Sequence, residues 1–245
     1  FDTEIYTFQS LYKYSNIGIT CKPEADALKD LMNDSCKVIV INRHLTEQET
    51  ANFKAANIYP KSIKIAEDAV AFVVNNDNID TVLTVDELKQ IIAGQDTLWK
   101  SQKEKKINVV FDNPNSANAR YMKEKLLDGK ELGKNCFAVQ SNPEVINYVN
   151  KNKNALGVIS VNWISDKNDS ITRAFLKQVK VVGVASSKGE KPYKPYQAWI
   201  KTKDYSFCRD VYMINRQTTA GLGTGFVSFV AGQIGQRIIL RAGLI

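Results

Sequence analysis

The 245-residue sequence predicts an α/β fold. Two observations carry that expectation. Short apolar runs of strand length alternate with amphipathic stretches of helical period along the whole chain. Several of the helical stretches also open on Ser or Thr with Glu three residues later, the pattern of a capping box. Alternation of this kind argues for parallel strands with crossover helices.

Residues 4–14 place Ile5, Phe8, Leu11 and Tyr12 on one helical face. Residues 17–20 read as a short strand, 24–32 as a helix and 37–41 (KVIVI) as a buried strand. Thr46 and Glu49 open a helix that runs to about Ala56. Residues 69–74 are the next strand. Thr84 and Glu87 open another helix, Leu88, Ile91 and Ile92 continue its apolar face, and Gly94 sits where a helix stops. Residues 107–111 form a strand that leads through Asp112 to a helix starting near Ser116 and ending about Leu127. Ser141 and Glu144 open a shorter helix with Val145, Ile146 and Val149 inside. Residues 156–160, 179–184 and 196–200 read as strands, 186–194 as a polar loop, and 205–214 and 226–240 as helices.

Apolar residues make up 44% and charged residues 24% of the chain, which suits a packed globular core. No run approaches the roughly 18 apolar residues that cross a bilayer. Residues 225–244 come nearest, and Gln233, Gln236, Arg237 and Arg241 break them. The chain opens on Phe1 without a leader pattern and is read as a processed product. Four widely spaced cysteines, Cys21, Cys36, Cys136 and Cys208, lack a C-x-x-C and argue against zinc. A Cys21–Cys36 link would join opposite ends of two parallel strands, so free buried thiols are expected. A net charge of +7 suits an anionic ligand or partner, or solubility alone. The densest basic cluster, Lys103, Lys105 and Lys106, is interrupted by Glu104 and has no interleaved aromatic residues, so nucleic acid is not the expected partner.

KIAEDAVAFVVN at 64–75, VLTVDELKQIIAG at 82–94 with Trp99 beyond it, NALGVIS at 154–160 and GQIGQRI at 232–238 stand in a specific order. Their order and spacing resemble the phosphate-binding proteins of phosphate ABC transporters, and the resemblance extends over essentially the whole chain. It implies a type II periplasmic-binding-protein fold, with two α/β lobes, a ligand cleft and two hinge crossings. Lobe 1 would hold 1–67 with 186–245, and lobe 2 would hold 68–185. The crossings would lie near 65–71 and 182–185. The implied function is a non-enzymatic, monomeric solute-binding protein without cofactor or metal. It would deliver an inorganic oxyanion, phosphate first, to an ABC permease. The implied location is periplasmic or cell-surface, with a lipid anchor ahead of Phe1 left open.

In that family the oxyanion is contacted from three places. The first is a loop after the first strand, expected here ahead of Phe1 because the chain begins at the first helix. The second follows the strand equivalent to 37–41, where Asn42 and Arg43 stand. The third is a Ser-Gly-Thr helix opening, replaced here by Ser116, Ala117 and Asn118. The position of the Arg four residues ahead of that Ser holds Asp112, and Arg120 four residues after it could supply the cation.

The residues support these assignments on chemical grounds. A helix start at Ser116 would aim free N–H groups and the positive end of a dipole at an anion, or Ser116 would serve only as a cap. Arg43 after a buried strand could hold two oxyanion oxygens, or lie on the surface. Asn42 could donate an amide or cap a turn. Asp112 is expected to pair with Arg120 rather than accept a proton from the oxyanion. His44 is the only histidine, and a triad with Ser116 and Asp112 lacks the G-x-S-x-G setting. GLGTG at 221–225 lacks the Lys of a phosphate loop and reads as a lead-in to the last helix. Trp99, Trp163, Trp199, Tyr193 and Tyr196 read as packing residues, with Tyr196 and Gln197 placed to line the cleft. A second function stays open: a sensing or interaction domain of the same fold whose anion site is lost or changed.

Overall fold

The alternating pattern folds as two units in the computed structural model, which describes residues 1–101, 106–166, 168–217 and 219–245. Unit 1 holds Phe1–Glu67 and Arg209–Ile245, and unit 2 holds Asp68–Cys208. In chain order, unit 1 opens with α1 (Asp2–Leu11), α2 (Glu24–Met32), β1 (Val38–Ile41) and α3 (Glu47–Ala55). The long strand β2 (Lys61–Asn75) then carries the chain into unit 2. There follow β3 (Val82–Thr84), α4 (Val85–Ile92), β4 (Asn108–Phe111), α5 (Ala117–Leu127), β5 (Cys136–Ala138), α6 (Asn142–Lys151) and β6 (Ala155–Ser160). The rest of unit 2 is α7 (Asn162–Ser165), α8 (Ser170–Gln178), β7 (Val179–Val181), β8 (Gly183–Ala185) and α9 (Gln197–Lys201). Strand β9 (Cys208–Asn215) returns the chain to unit 1, which closes with α10 (Leu222–Ala231) and α11 (Gln233–Arg241).

In unit 1, β1 runs antiparallel to β9, with Val38 opposite Asn215 and Ile41 opposite Tyr212. Side chains alternate across this ladder, so the unit has two apolar layers. Phe8, Ile65, Val211, Met213, Phe226 and Val230 pack on one face. Leu31, Ile39, Ile41, Phe53, Tyr212 and Ile214 pack on the other. Ile245 exchanges two backbone hydrogen bonds with Glu67, at 2.5 and 3.2 Å, and Gln236 donates its side-chain amide to the Ile65 carbonyl at 2.9 Å.

In unit 2, residues 70–74 of β2 are fully buried. They pair antiparallel with β6, and Val73 faces Val181 of β7, also antiparallel. Strand β4 lies parallel between β5 and β6. Strands β3 and β8 form a separate parallel pair. Both Thr boxes form as the sequence demands: Thr46 Oγ1 accepts from Glu49 N and Thr84 Oγ1 from Glu87 N, with each Glu carboxylate returning to the Thr N–H. Gly94 follows α4 with φ +72, the left-handed conformation that glycine adopts without a Cβ penalty.

Several expectations are corrected. The sheet is mixed rather than parallel, because β2 and β9 each run against their neighbours. Residues 17–20 join no ladder. The 179–184 run breaks at Val182, since β7 pairs with β2 while β8 pairs with β3. Residues 197–201 are helical, not a strand, with Ile200 N–H reaching back to the Tyr196 carbonyl. Conversely, the 205–214 stretch supplies β9. Its apolar residues feed both layers of unit 1, and that two-sided burial removes the alternation that marks a half-buried strand. The last helix is two helices meeting at Gly232. A side chain at Gly235 would lie 2.4 Å from the Val230 backbone, so the two pack at a distance only glycine permits.

The return boundary falls at Cys208/Arg209 instead of 185/186. Residues 186–207 are tied to unit 2: Val184 and Tyr193 exchange backbone bonds at 2.7 and 2.8 Å, and the Tyr205 hydroxyl donates to the Val70 carbonyl at 2.7 Å. The four cysteines are free, but Cys21 is exposed and the other three are half-buried. Lys103, Glu104 and Lys105 lie outside the described residues. Among the described residues, no helix is long and apolar enough to cross a membrane.

Candidate functional site

The three parallel strands of unit 2 end side by side, and open α/β sheets bind ligands outside such carboxyl ends. Asp112 follows β4 directly. The chain then turns through Asn113, whose side-chain oxygen accepts from Asn115 N–H at 2.9 Å. The turn delivers Ser116 as N-cap of α5, buried, with its Oγ accepting from Ala119 N–H at 3.1 Å. The N–H groups of Ala117 and Asn118 are first-turn donors with no acceptor inside the helix, and the positive end of the helix dipole lies behind them. No acidic residue sits in that first turn.

Around this helix start the side chains close a ring. Asn118 donates to one Asp112 carboxylate oxygen at 3.2 Å, and Asn142 donates to the other at 3.1 Å. The Ser160 hydroxyl donates to the Asn118 carbonyl oxygen at 3.1 Å, and Ser160 N–H donates to the Asn142 carbonyl oxygen at 3.1 Å. Each residue stands at an element end: Asp112 after β4, Asn118 in α5, Asn142 opening α6, and Ser160 closing β6. The ring therefore locks the α5 start to two neighbouring strand ends.

The expected Asp112–Arg120 pair does not form. Both Asp112 oxygens accept from amides, and Arg120 Nη1 instead meets the Glu124 carboxylate at 2.8 Å, one helical turn on. Asn142 and Ser160 were not singled out in the sequence. The signal that could have found them is position, since both lie at the carboxyl edge of the same parallel strands as Asp112.

In unit 1, Arg43 leaves the end of β1 and is already engaged. Its Nε donates to Glu24 at 2.7 Å, Nη1 to Glu49 at 2.7 Å and to the His44 carbonyl at 2.9 Å, and Nη2 to the second Glu49 oxygen at 2.8 Å. A guanidinium has five N–H donors, so one Nη2–H remains. The hydrogen bonds to Glu49 raise the Arg43 pKa and hold the Glu49 carboxyl below its ordinary value. Asn42 beside it is half-buried. His44 is exposed and packs on the Tyr212 ring at 4.0 Å, while the Ser116 oxygen is used as a cap. In the GLGTG stretch, Gly223 N–H donates to Gln217 at 3.1 Å and the Thr224 hydroxyl oxygen accepts from Asn215 at 3.1 Å, which seats the start of α10.

Comparison with known proteins bears on this arrangement. The model of the PBP superfamily domain matches residues 4–233. Phosphate-binding protein PstS of Staphylococcus haemolyticus is 28% identical over 181 residues, covering 70% of this chain and 52% of that protein. PstS of Staphylococcus aureus strain USA300 is 27% identical, covering 70% and 51%. The chain thus spans about half the length of the curated relatives it matches. A putative phosphate ABC transporter substrate-binding protein with bound phosphate from Clostridium perfringens superposes with a TM-score of 0.82 at 21% identity, over 100% of this chain and 93% of that one. An ABC-type phosphate transport receptor from Vibrio cholerae superposes with a TM-score of 0.75 at 22% identity, with the same coverage. These superpositions establish the type II periplasmic-binding-protein fold. With the family match running over nearly its full length, the chain belongs to the PBP superfamily.

Proposed function

We propose that this chain is a non-enzymatic solute-binding protein for an inorganic oxyanion, phosphate first, which it hands to an ABC permease outside the cytoplasmic membrane. The observation that carries the reading is the α5 start. Its first turn carries no acidic residue of its own, and it lies at the carboxyl edge of parallel strands with the nearby Asp112 carboxylate held by the Asn118 and Asn142 amides, in a fold shared with a phosphate-bound protein. The proposed contacts in unit 2 are Ser116, Ala117, Asn118 and Arg120. Asn42 and Arg43 are the proposed contacts of unit 1, Arg43 through its remaining N–H. The protein acts as a monomer and takes no nucleic acid.

A second reading is favoured by two observations: Asp112 stands where the resemblance expects an Arg, and Arg43 is largely engaged by Glu24 and Glu49. It is a sensing or interaction domain of the same fold with a changed anion site. Calorimetric titration of anion-free protein with phosphate and then sulfate separates the two. Saturable phosphate binding that weakens about tenfold in Arg120→Ala supports the transport reading. A folded protein giving no heat with either anion supports the second.

A further inference from the structure

Residues 186–203 of unit 2 carry five lysines and one glutamate, so more than half of the net charge of +7 lies in this stretch. Elsewhere some lysines are paired with carboxylates, as in Lys22–Asp30, Lys37–Asp34, Lys123–Glu131 and Lys153–Asp77, while others, such as Lys54, Lys89, Lys130 and Lys151, are exposed without an ion pair among the described residues and without an aromatic pair beside them. Lys188, Lys191, Lys194 and Lys201 are exposed and enter no ion pair among the described residues. Lys191 instead lies 5.2 Å from the Tyr193 ring and 5.1 Å from the Trp199 ring, which meet each other edge-on at 5.1 Å. Tyr196 is 45% exposed beside them. The loop is held in place: Val184 and Tyr193 exchange two backbone bonds across its base, and Pro192 and Pro195 stiffen the return.

We propose that this stretch is a basic–aromatic platform that docks on an anionic phospholipid surface. Lysines without carboxylate partners keep their full attraction for a negatively charged leaflet, and each adds favourable energy close to it. Tyr and Trp beside them combine an apolar ring with a polar edge, the pairing favoured at the boundary of headgroups and water. A lipid surface fits this stretch by charge and rings together: its net positive charge meets an anionic leaflet, and Tyr193, Tyr196 and Trp199 meet the headgroup boundary.

The test is sedimentation of the 245-residue protein with vesicles of phosphatidylglycerol and phosphatidylcholine, against vesicles of phosphatidylcholine alone. Two variants are compared. In one, Lys188, Lys191, Lys194 and Lys201 become Gln; in the other, the exposed Lys54, Lys89, Lys130 and Lys151 become Gln. Each removes four positive charges, and matched thermal unfolding of the two shows that both are folded. The expected result is salt-sensitive binding to the anionic vesicles only, reduced at least about tenfold in the first variant and less than about twofold in the second. Equal loss in both variants would reduce the effect to net charge and overturn the proposal. So would absence of vesicle binding, or retention by polyglutamate or single-stranded DNA in its place.

Discussion

Arg43 and Glu49 form a two-pronged ion pair, Nη1 and Nη2 each meeting one carboxylate oxygen at 2.7 and 2.8 Å. The same Glu49 carboxylate accepts from Thr46 N–H at 2.8 Å, so one side chain completes both a helix cap and the anchor of the loop after β1. Glu24, only 9% exposed at its side chain, holds the third edge of the guanidinium. Truncating Arg43 would leave two carboxylates facing each other without a cation. Arg43→Ala is expected to cost about 2 kcal/mol, discounted for partial exposure from the larger loss of a fully buried pair. Urea unfolding of the variant and parent at pH 7 measures it.

The same pair makes stability depend on pH. Hydrogen bonding to Arg43 lowers the folded-state pKa of Glu49 below its unfolded value. The unfolded chain therefore takes up this proton first as the solution is acidified. The stabilisation is complete above the ordinary Glu value of about 4.3 and is lost as pH falls through the depressed folded value. Urea midpoints between pH 7 and pH 3 should fall for the parent and fall less steeply for Glu49→Gln. Parallel curves would show that Arg43 does not perturb this carboxyl.

Ala117→Pro isolates one backbone donor. Proline is well accepted at the first helical position, and Ser116, at φ −73 and ψ 157, already has the extended geometry that a residue before proline prefers. The substitution deletes the Ala117 N–H and leaves the helix in place. If the oxyanion sits on the α5 start, phosphate affinity should fall about tenfold or more, as expected for one hydrogen bond to a charged group, with little change in melting temperature. Calorimetry on the refolded variant reads it directly.

Asn142 closes the ring around Asp112, giving its amide to the carboxylate and its oxygen to Ser160 N–H. Removing both at once strands a donor and an acceptor. Asn142→Ala is expected to lose about 2 kcal/mol of stability. It should also speed amide exchange at Ser160, a readout that general loosening of unit 2 would not confine to that residue.

Two glycines test the packing. A Cβ at Gly157 would lie 2.7 Å from Val73, 2.8 Å from Val149 and 2.9 Å from Val145, in the buried part of β6. Gly157→Ala should cost about 1–3 kcal/mol through overpacking. Gly18 has open space at the same position, and Gly18→Ala should be neutral within about 0.5 kcal/mol. Denaturant midpoints of the two variants compare them.

Elements whose cause is local were legible in the residues. The Thr46 and Thr84 boxes, the Ser116 cap, the Gly94 stop and the apolar run at 37–41 depend on neighbours within a few positions, and they appear where the pattern puts them. What the tertiary structure alone decided depends on partners far along the chain. Strand β9 shows no alternation because Val211 and Met213 face one layer while Tyr212 and Ile214 face the other. The chain stays in unit 2 until Cys208 because Tyr193 pairs with Val184 and the Tyr205 hydroxyl reaches the Val70 carbonyl, 135 residues back. The site divides in the same way. That Ser116 opens a helix is written in its immediate sequence. That Asp112 answers to Asn118 and Asn142 instead of Arg120, and that Arg43 answers to Glu24 and Glu49, follows from which strand ends and helix starts the sheet brings together. Side-chain charge is a property of the residue, but its partner is a property of the fold.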